Sequence, residues 1–294
     1  MKQNSSEIIL VGGPTASGKS ALALDLARRE NGVIINADSM QVYAGLPILT
    51  ACPSAKDMKA TSHRLYGVLD PSEKCSAERW RQMAVTEIEQ TLAQGKKPVL
   101  VGGTGLYFKA LTEGLAPVPA VPAEVQKRAV DQRRTMGPEA FHADLQRRDP
   151  VLGARLYPGD TQRVTRAWAV HEATGRPLSE WQAERHSIPP PEWRFRWIVL
   201  DPPREVLYDA CNRRFEKMVE QGAVEEVRAF LQRGLDPSLP AMKAVGVREL
   251  AAFIAGEISL EEAIHRAQQA TRNYAKRQVT WFKNQVAGGE VRRP

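Results

Sequence analysis

Short unbroken apolar runs alternate with longer stretches of helical period along most of the chain. Ile8-Ile9-Leu10-Val11 reads as a buried strand, and Ala21-Leu22-Ala23-Leu24-Asp25-Leu26-Ala27-Arg28 as the helix after it. Gly32-Val33-Ile34-Ile35 opens a second β-branched run, with a strand end expected at Asp38. The stretch holding Pro47, Pro53 and Pro71 reads as loop. A helix is expected from Ser76, whose hydroxyl suits an N-cap, through Met83, Ile88 and Leu92 to Gln94-Gly95. Pro98-Val99-Leu100-Val101 is a third strand. Strand–helix–strand units build a parallel sheet with right-handed crossovers. The predicted fold is therefore α/β, a parallel sheet flanked by helices.

The pattern changes at Leu115-Ala116-Pro117-Val118-Pro119-Ala120-Val121-Pro122, where alternate prolines break regular structure. From Ala123 to Arg185 the reading is helical and rich in arginine, and Pro189-Pro190-Pro191 closes the section. Arg196-Trp197-Ile198-Val199-Leu200-Asp201 returns to a strand pattern. The expected organisation is an α/β core of residues 1–118 and 192–294, with an all-helical insertion at 119–191. Beyond Arg204 the chain reads as helices: one stopping at Gly222, one from Ala223 to Gln232, one through Leu250 and Phe253, and a long one from Leu260 to Asn284.

Composition narrows the class. The 294 residues are 43% hydrophobic and 26% charged, as in soluble globular chains, and suffice for a core plus a smaller second domain. No apolar run approaches the ~20 residues that span a bilayer, so no membrane segment is expected. Met1-Lys2-Gln3-Asn4-Ser5-Ser6 is short and polar, which predicts no signal peptide. The three cysteines, Cys52, Cys75 and Cys211, are odd in number and far apart, which suits a reducing cytoplasm and no structural zinc. His63, His142, His171, His186 and His265 form no metal-binding pattern.

The net charge of +7 permits a polyanionic partner, and its location sharpens the point. No acidic residue falls between Glu262 and Glu290, while Arg266, Arg272, Lys276, Arg277 and Lys283 lie there with Tyr274, Trp281 and Phe282. Basic charge interleaved with aromatics suits a nucleic-acid backbone. The competing reading is a solvated basic face with its aromatics in the core.

Gly13-Pro14-Thr15-Ala16-Ser17-Gly18-Lys19-Ser20 matches G-x-x-x-x-G-K-S between a predicted strand and a predicted helix. This is the phosphate-binding P-loop. Its glycines let backbone N–H groups close around phosphate oxygens, and the helix start adds unpaired donors. Lys19 supplies a point charge, and the Ser20 hydroxyl suits Mg²⁺. In a parallel sheet the P-loop, Asp38 and Thr104 share the carboxyl edge, where ligands bind. Asp38 suits holding Mg²⁺ or accepting a proton, against a plain helix-capping role. Gly102-Gly103-Thr104 permits close approach to a ligand, or is a plain tight turn. Arg214 is a candidate second cation or a solvated helix residue. Asp201, ending an apolar run, resembles the Mg²⁺-organising aspartate of ATPases and supports a small-molecule or nucleoside kinase. Pro202-Pro203 makes that turn unusual for the role and favours a structural one.

Six motifs stand in an order that resembles the tRNA dimethylallyltransferases. They are the P-loop, Asp38-Ser39-Met40-Gln41-Val42-Tyr43, Gly102-Gly103-Thr104-Gly105-Leu106-Tyr107, Gln162-Arg163-Val164-Thr165-Arg166, Lys243-Ala244-Val245-Gly246 and Ala275-Lys276-Arg277-Gln278-Val279-Thr280-Trp281-Phe282. The resemblance spans nearly the whole chain and implies a P-loop NTPase-like sheet with a helical insertion that grips the tRNA anticodon stem-loop. It implies transfer of a dimethylallyl group from dimethylallyl diphosphate to N6 of the adenosine 3′-adjacent to the anticodon, in tRNAs reading codons that begin with U. The P-loop then holds the diphosphate of the donor, with Mg²⁺ near Ser20 as cofactor. Asp38 is implied as the base, Thr104 as the residue between donor and adenine, and Arg214 as a cation for the leaving group. Contacts to the tRNA are implied from Asp38, Ser39, Met40 and Gln41, and from Gln162, Arg163, Val164, Thr165 and Arg166. Others are implied from Lys243, Ala244, Val245, Gly246, Val247 and Arg248, and from Lys276, Arg277, Gln278, Val279, Thr280, Trp281, Phe282 and Lys283. A monomer is expected. An isopentenyltransferase for free adenine nucleotides is the nearest rival, but such a substrate needs neither the insertion nor the basic helix. The chain departs from the family pattern at Leu49-Thr50-Ala51-Cys52-Pro53, where Cys52 replaces a lysine, and at Ser62-His63-Arg64. Neither departure is assigned a role.

Overall fold

The computed structural model describes residues 6–184, 188–286 and 288–293. Arg185 and His186 therefore lie outside the described residues, as does most of the polar N-terminus. The chain divides into two compact units, one of residues Met1–Thr112 and Pro190–Pro294, the other Glu113–Pro189.

The first unit begins with β1 (Ser6–Gly12), α1 (Lys19–Arg29) and β2 (Gly32–Asn36). β2 stops at Asn36, short of the expected Asp38, because the Asn36 side chain turns the chain. Its Oδ1 accepts from Asp38 N at 2.8 Å, and its Nδ2 donates to Asp38 O and to Leu65 O, each at 3.0 Å. The stretch expected to be loop holds α2 (Ala55–Ala60), capped reciprocally by Ser54 and Asp57, and the two-residue β3 (His63–Arg64). Then come α3 (Ala77–Ala93), with Ser76 Oγ accepting from Arg79 N at 3.1 Å, β4 (Lys97–Gly102) and α4 (Gly105–Thr112).

The second unit contains α5 (Ala123–Met136), α6 (Pro138–Arg148), α7 (Pro150–Arg155), α8 (Thr161–Thr174) and α9 (Leu178–Ala183). It has its own core around Phe141, Leu145, Val164, Trp168 and Leu178. Buried Asp149 ties two of its segments, accepting from Leu152 N at 3.0 Å and Ser179 N at 2.9 Å.

The first unit resumes with β5 (Trp193–Leu200), which starts before the expected Arg196. Arg194 and Arg196 interrupt the apolar run there, and Arg196 pairs with Glu30. α10 (Arg204–Glu220), α11 (Ala223–Leu231), a 3₁₀ turn at Ala241–Lys243, α12 (Val247–Ile254) and α13 (Leu260–Gln285) follow. β6 (Glu290–Arg292) was not expected, because a short exposed edge strand carries no apolar period.

The sheet is wholly parallel in the order β3-β2-β4-β1-β5-β6. Ile9, Val11, Ile34 and Val101 pack under α1 on one face. Ile8, Leu10, Ile35 and Leu100 face the larger core with Trp80, Phe108 and Phe282. The loops after β1, β2 and β4 therefore open at the same edge of the sheet.

Because Asn36 is buried and makes three bonds at the end of β2, Asn36→Ala should lower stability by about 2–3 kcal/mol. Urea denaturation measures this, and an unchanged midpoint would show that the turn holds itself.

Candidate active site

β1 delivers the chain to residues 13–18, and α1 begins at Lys19. Gly18 caps that helix at φ +84°, a left-handed conformation that favours glycine. Lys19 Nζ donates to Pro14 O at 3.1 Å, and the buried Ser17 Oγ has no hydrogen-bond partner among the described residues. Ser20 lies exposed in the first turn of α1. Burial lowers the Lys19 ammonium to a pKa of about 8; the Asp38 charge raises it and the Arg214 charge lowers it further. Burial also lowers the Arg214 guanidinium, with Asp38 again opposing. Two partly buried cations thus share one carboxylate, which leaves a desolvated surplus of positive charge at the P-loop.

The other two loops meet across Gly102. A Cβ there would lie 2.0 Å from Ala37 O, so only glycine allows this approach. Thr104 N donates to Ala37 O at 3.3 Å. Thr104 Oγ1 accepts from Ser39 N at 2.9 Å and donates to Ser39 Oγ at 3.2 Å. Asp38 Oδ1 accepts from Met40 N at 2.9 Å, which orients the carboxylate. Asp38, Thr104 and the P-loop are thereby brought together, as parallel strands require.

A cleft opens beside them. Thr15, Asp38 and Arg214 form its polar end, and Met40, Leu49, Phe215 and Met218 much of its apolar wall. Ala244, Val245 and Tyr274 also line it, and burial raises the Tyr274 hydroxyl. Leu49 is held from a distance: the Glu226 carboxylate accepts from Ile48 N and Leu49 N, both at 2.8 Å. Gln41 Nε2 donates to Thr50 O at 2.8 Å and Ala51 O at 2.9 Å. Sequence reasoning missed Glu226, Leu49 and Met218. A signal existed for Met218, since Cys211, Arg214 and Met218 share one face of α10 at helical spacing. Nothing local marks Glu226.

The remaining predicted residues divide by burial. On α13, Lys276, Arg277, Thr280 and Lys283 are exposed along one stripe. Gln278 and Phe282 are buried, Val279 and Trp281 partly so, and these side chains pack inward. Gln278 Oε1 accepts from Thr15 N at 2.8 Å and its Nε2 donates to Gly103 O at 2.9 Å. Of the two readings open for this helix, the structure matches the second in its charges, which face solvent, and in Trp281 and Phe282, which pack on the core, while Tyr274 lines the cleft. Val247, Ala244 and Gly246 are also buried, whereas Lys243 and Arg248 are exposed. In the helical unit Val164 is a core residue, Thr165 is partly buried, and Gln162, Arg163 and Arg166 are exposed. Asp201 lies beyond β5 and pairs with Lys283 at 3.5 Å, which supports its structural reading.

Magnesium finds a limited set of donors. Among the described residues no group of three or more His, Cys, Asp or Glu side chains could hold a metal. Ser20 offers one exposed hydroxyl at the P-loop. Mg²⁺ keeps several waters and takes few protein ligands beside phosphate oxygens, so this set fits an ion that arrives with a diphosphate.

Fold and site together define a P-loop α/β transferase with a separate helical unit. A family model described as IPP transferase matches residues 41–285. The tRNA dimethylallyltransferase of Rhodospirillum centenum is 56% identical over 280 residues, 95% of this chain and 89% of that protein. That of Phenylobacterium zucineum is 51% identical over 282 residues, 96% of this chain and 91% of that protein. The crystal structure of the tRNA isopentenylpyrophosphate transferase of Bacillus halodurans is 34% identical with a TM-score of 0.69, covering 98% of this chain and 90% of that one. A eukaryotic dimethylallyltransferase acting on tRNA is 28% identical with a TM-score of 0.77, covering 95% of this chain and 70% of that one. The chain belongs to the IPP transferase family, the tRNA dimethylallyltransferases.

The state of Lys19 predicts a pH dependence. A bound diphosphate raises the ammonium pKa above its free value of about 8, so binding takes up a proton above that pH. Affinity for a diphosphate monoester should be level between about pH 7, above the ligand's own pKa of about 6, and pH 8, and fall as pH rises further. Calorimetry across that range checks this, and Lys19→Met should bind more weakly with a flat profile.

Proposed function

We propose that the chain transfers a dimethylallyl group from dimethylallyl diphosphate to N6 of the adenosine 3′-adjacent to the anticodon in tRNAs reading codons that begin with U. The observation that carries this reading is the cleft beside the P-loop: partly buried Arg214 at its polar end with the Lys19 charge nearby, an oriented carboxylate, and an apolar wall. A diphosphate supplies the missing negative charge, and a five-carbon chain suits the wall formed by Met40, Leu49, Phe215 and Met218. The relatives from Rhodospirillum centenum and Phenylobacterium zucineum are named tRNA dimethylallyltransferases.

In the reaction, the N6 lone pair forms a bond to the allylic carbon as the bond from that carbon to the diphosphate oxygen breaks. The electron pair leaves with diphosphate. Lys19, Arg214 and the P-loop amides offset the charge growing on the leaving oxygens. Asp38 accepts the proton released from N6, with Oδ1 fixed by Met40 N. Thr104, locked to Ser39, lies between donor and base. When bound, Mg²⁺ adds Lewis-acid stabilisation of the diphosphate, with Ser20 as its protein ligand.

The adenine leaves its stack to reach Asp38, at a cost of roughly a few kcal/mol. Phosphate contacts from exposed Lys243, Arg248, Lys276, Arg277 and Lys283 offset that cost. Gln162, Arg163 and Arg166, exposed on the helical unit, are proposed contacts of that unit to the anticodon stem-loop. The cysteines Cys52, Cys75 and Cys211 are free, which supports a cytoplasmic setting. No helix among the described residues is long and apolar enough to cross a membrane.

Incubation with dimethylallyl diphosphate and unmodified tRNA, followed by nucleoside mass spectrometry, tests the reading. A five-carbon gain on adenosine supports it, and transfer to free AMP alone, or phosphoryl transfer from ATP, would replace it. Asp38→Asn should slow single-turnover transfer by about 10²–10⁴-fold. Its Kd for tRNA should stay within about twofold of the parent value. An unchanged rate would remove Asp38 as the base.

A further inference from the structure

α13 carries two functions on opposite faces, and the inward one reaches the catalytic edge. Gln278, Trp281 and Phe282 stand at helical spacing, and each seats on a glycine. A Cβ on Gly103 would lie 2.0 Å from Gln278 Nε2, one on Gly105 2.1 Å from Trp281, and one on Gly12 2.4 Å from Phe282. Phe282 and Trp281 contribute packing. Gln278 does something more specific. It is 4% exposed, and its amide joins Thr15 N to Gly103 O across 263 and 175 residues of sequence.

Those two partners belong to the two halves of the proposed chemistry. Thr15 is part of the P-loop and lines the cleft. Gly103 immediately precedes Thr104, which holds Ser39 N beside Asp38. One side chain therefore spans the loop that receives the leaving group and the turn that adjoins the base. Only a primary amide supplies both an acceptor for Thr15 and a donor for Gly103 at this size. The geometry points to Gln278 as a positioning residue that sets the separation between the diphosphate loop and the Thr104 turn. The inference rests on the prenyl-transfer reading above. It also reassigns Gln278 from RNA contact to internal brace, since its polar atoms are buried and occupied.

Displacement of reacting groups by about 1 Å lowers rates on the order of 100-fold. Gln278→Met keeps the volume and removes both bonds; Gln278→Glu keeps the acceptor and removes the donor. Both should slow single-turnover dimethylallyl transfer at saturating donor and tRNA by roughly 100-fold. The Kd for tRNA should stay within about twofold in both. Melting temperatures and circular dichroism identify folded variants, and Gln278→Glu serves if Gln278→Met does not fold. A weakened tRNA Kd with an intact transfer rate would restore the RNA-contact role and overturn the proposal. A lowered melting temperature with an intact rate would reduce Gln278 to a packing residue and overturn it equally. The parent enzyme in the same assay separates the two claims: if it transfers nothing to tRNA, the functional reading itself fails. If it transfers normally and the variants match it, only the positioning role fails.

Discussion

Parallel strands leave no freedom in where their following loops emerge, and this constraint underlies the whole site. β1, β4 and β2 lie side by side and run the same way. The P-loop, the Gly102–Thr104 turn and Asp38 therefore converge although long stretches of chain separate them. Gly102 tightens that convergence by letting the end of β4 touch Ala37 directly. The alternative, a bulkier residue at 102, would push the base away from the phosphate loop. Sheet topology supplies the grouping, and one missing Cβ supplies the distance.

The electrostatics follow from the same crowding. Lys19 and Arg214 are drawn into a partly buried space that holds one opposing carboxylate, Asp38. Such an arrangement is well matched to an anion. The Ser17 hydroxyl, without a partner among the described residues, and the Lys19 ammonium beside Pro14 O add donors at the same loop. Asp38 serves twice, as the charge that moderates both cations and as the proposed acceptor of a proton. Its Met40 N contact fixes one oxygen and leaves the other for chemistry.

The C-terminal helix shows how one motif is divided between roles. Its exposed stripe of Lys276, Arg277, Thr280 and Lys283 has the charge to meet an RNA backbone. Its inward stripe of Gln278, Trp281 and Phe282 packs on glycines at the ends of β1 and β4. A contiguous motif in sequence is thus two surfaces in space, on different sides of the helix. The same division recurs in Gln162–Arg166, where Val164 is buried among exposed polar neighbours.

Much of this molecule was legible from residue order alone. Local pattern determined the parallel α/β core, the helical section, the P-loop and the shared edge of Asp38 and Thr104, because apolar period and strand direction are properties of short segments. The cap at Ser76 was readable for the same reason. Tertiary structure alone decided which side chains of each motif face inward, since burial depends on the partner element. It also decided the Glu226 clamp on Leu49 and the Gln278 brace between Thr15 and Gly103. Those contacts join residues far apart in sequence through ordinary amides and carboxylates. No local spacing marks them, and only the packing of α11 and α13 against the core brings the partners within bonding distance.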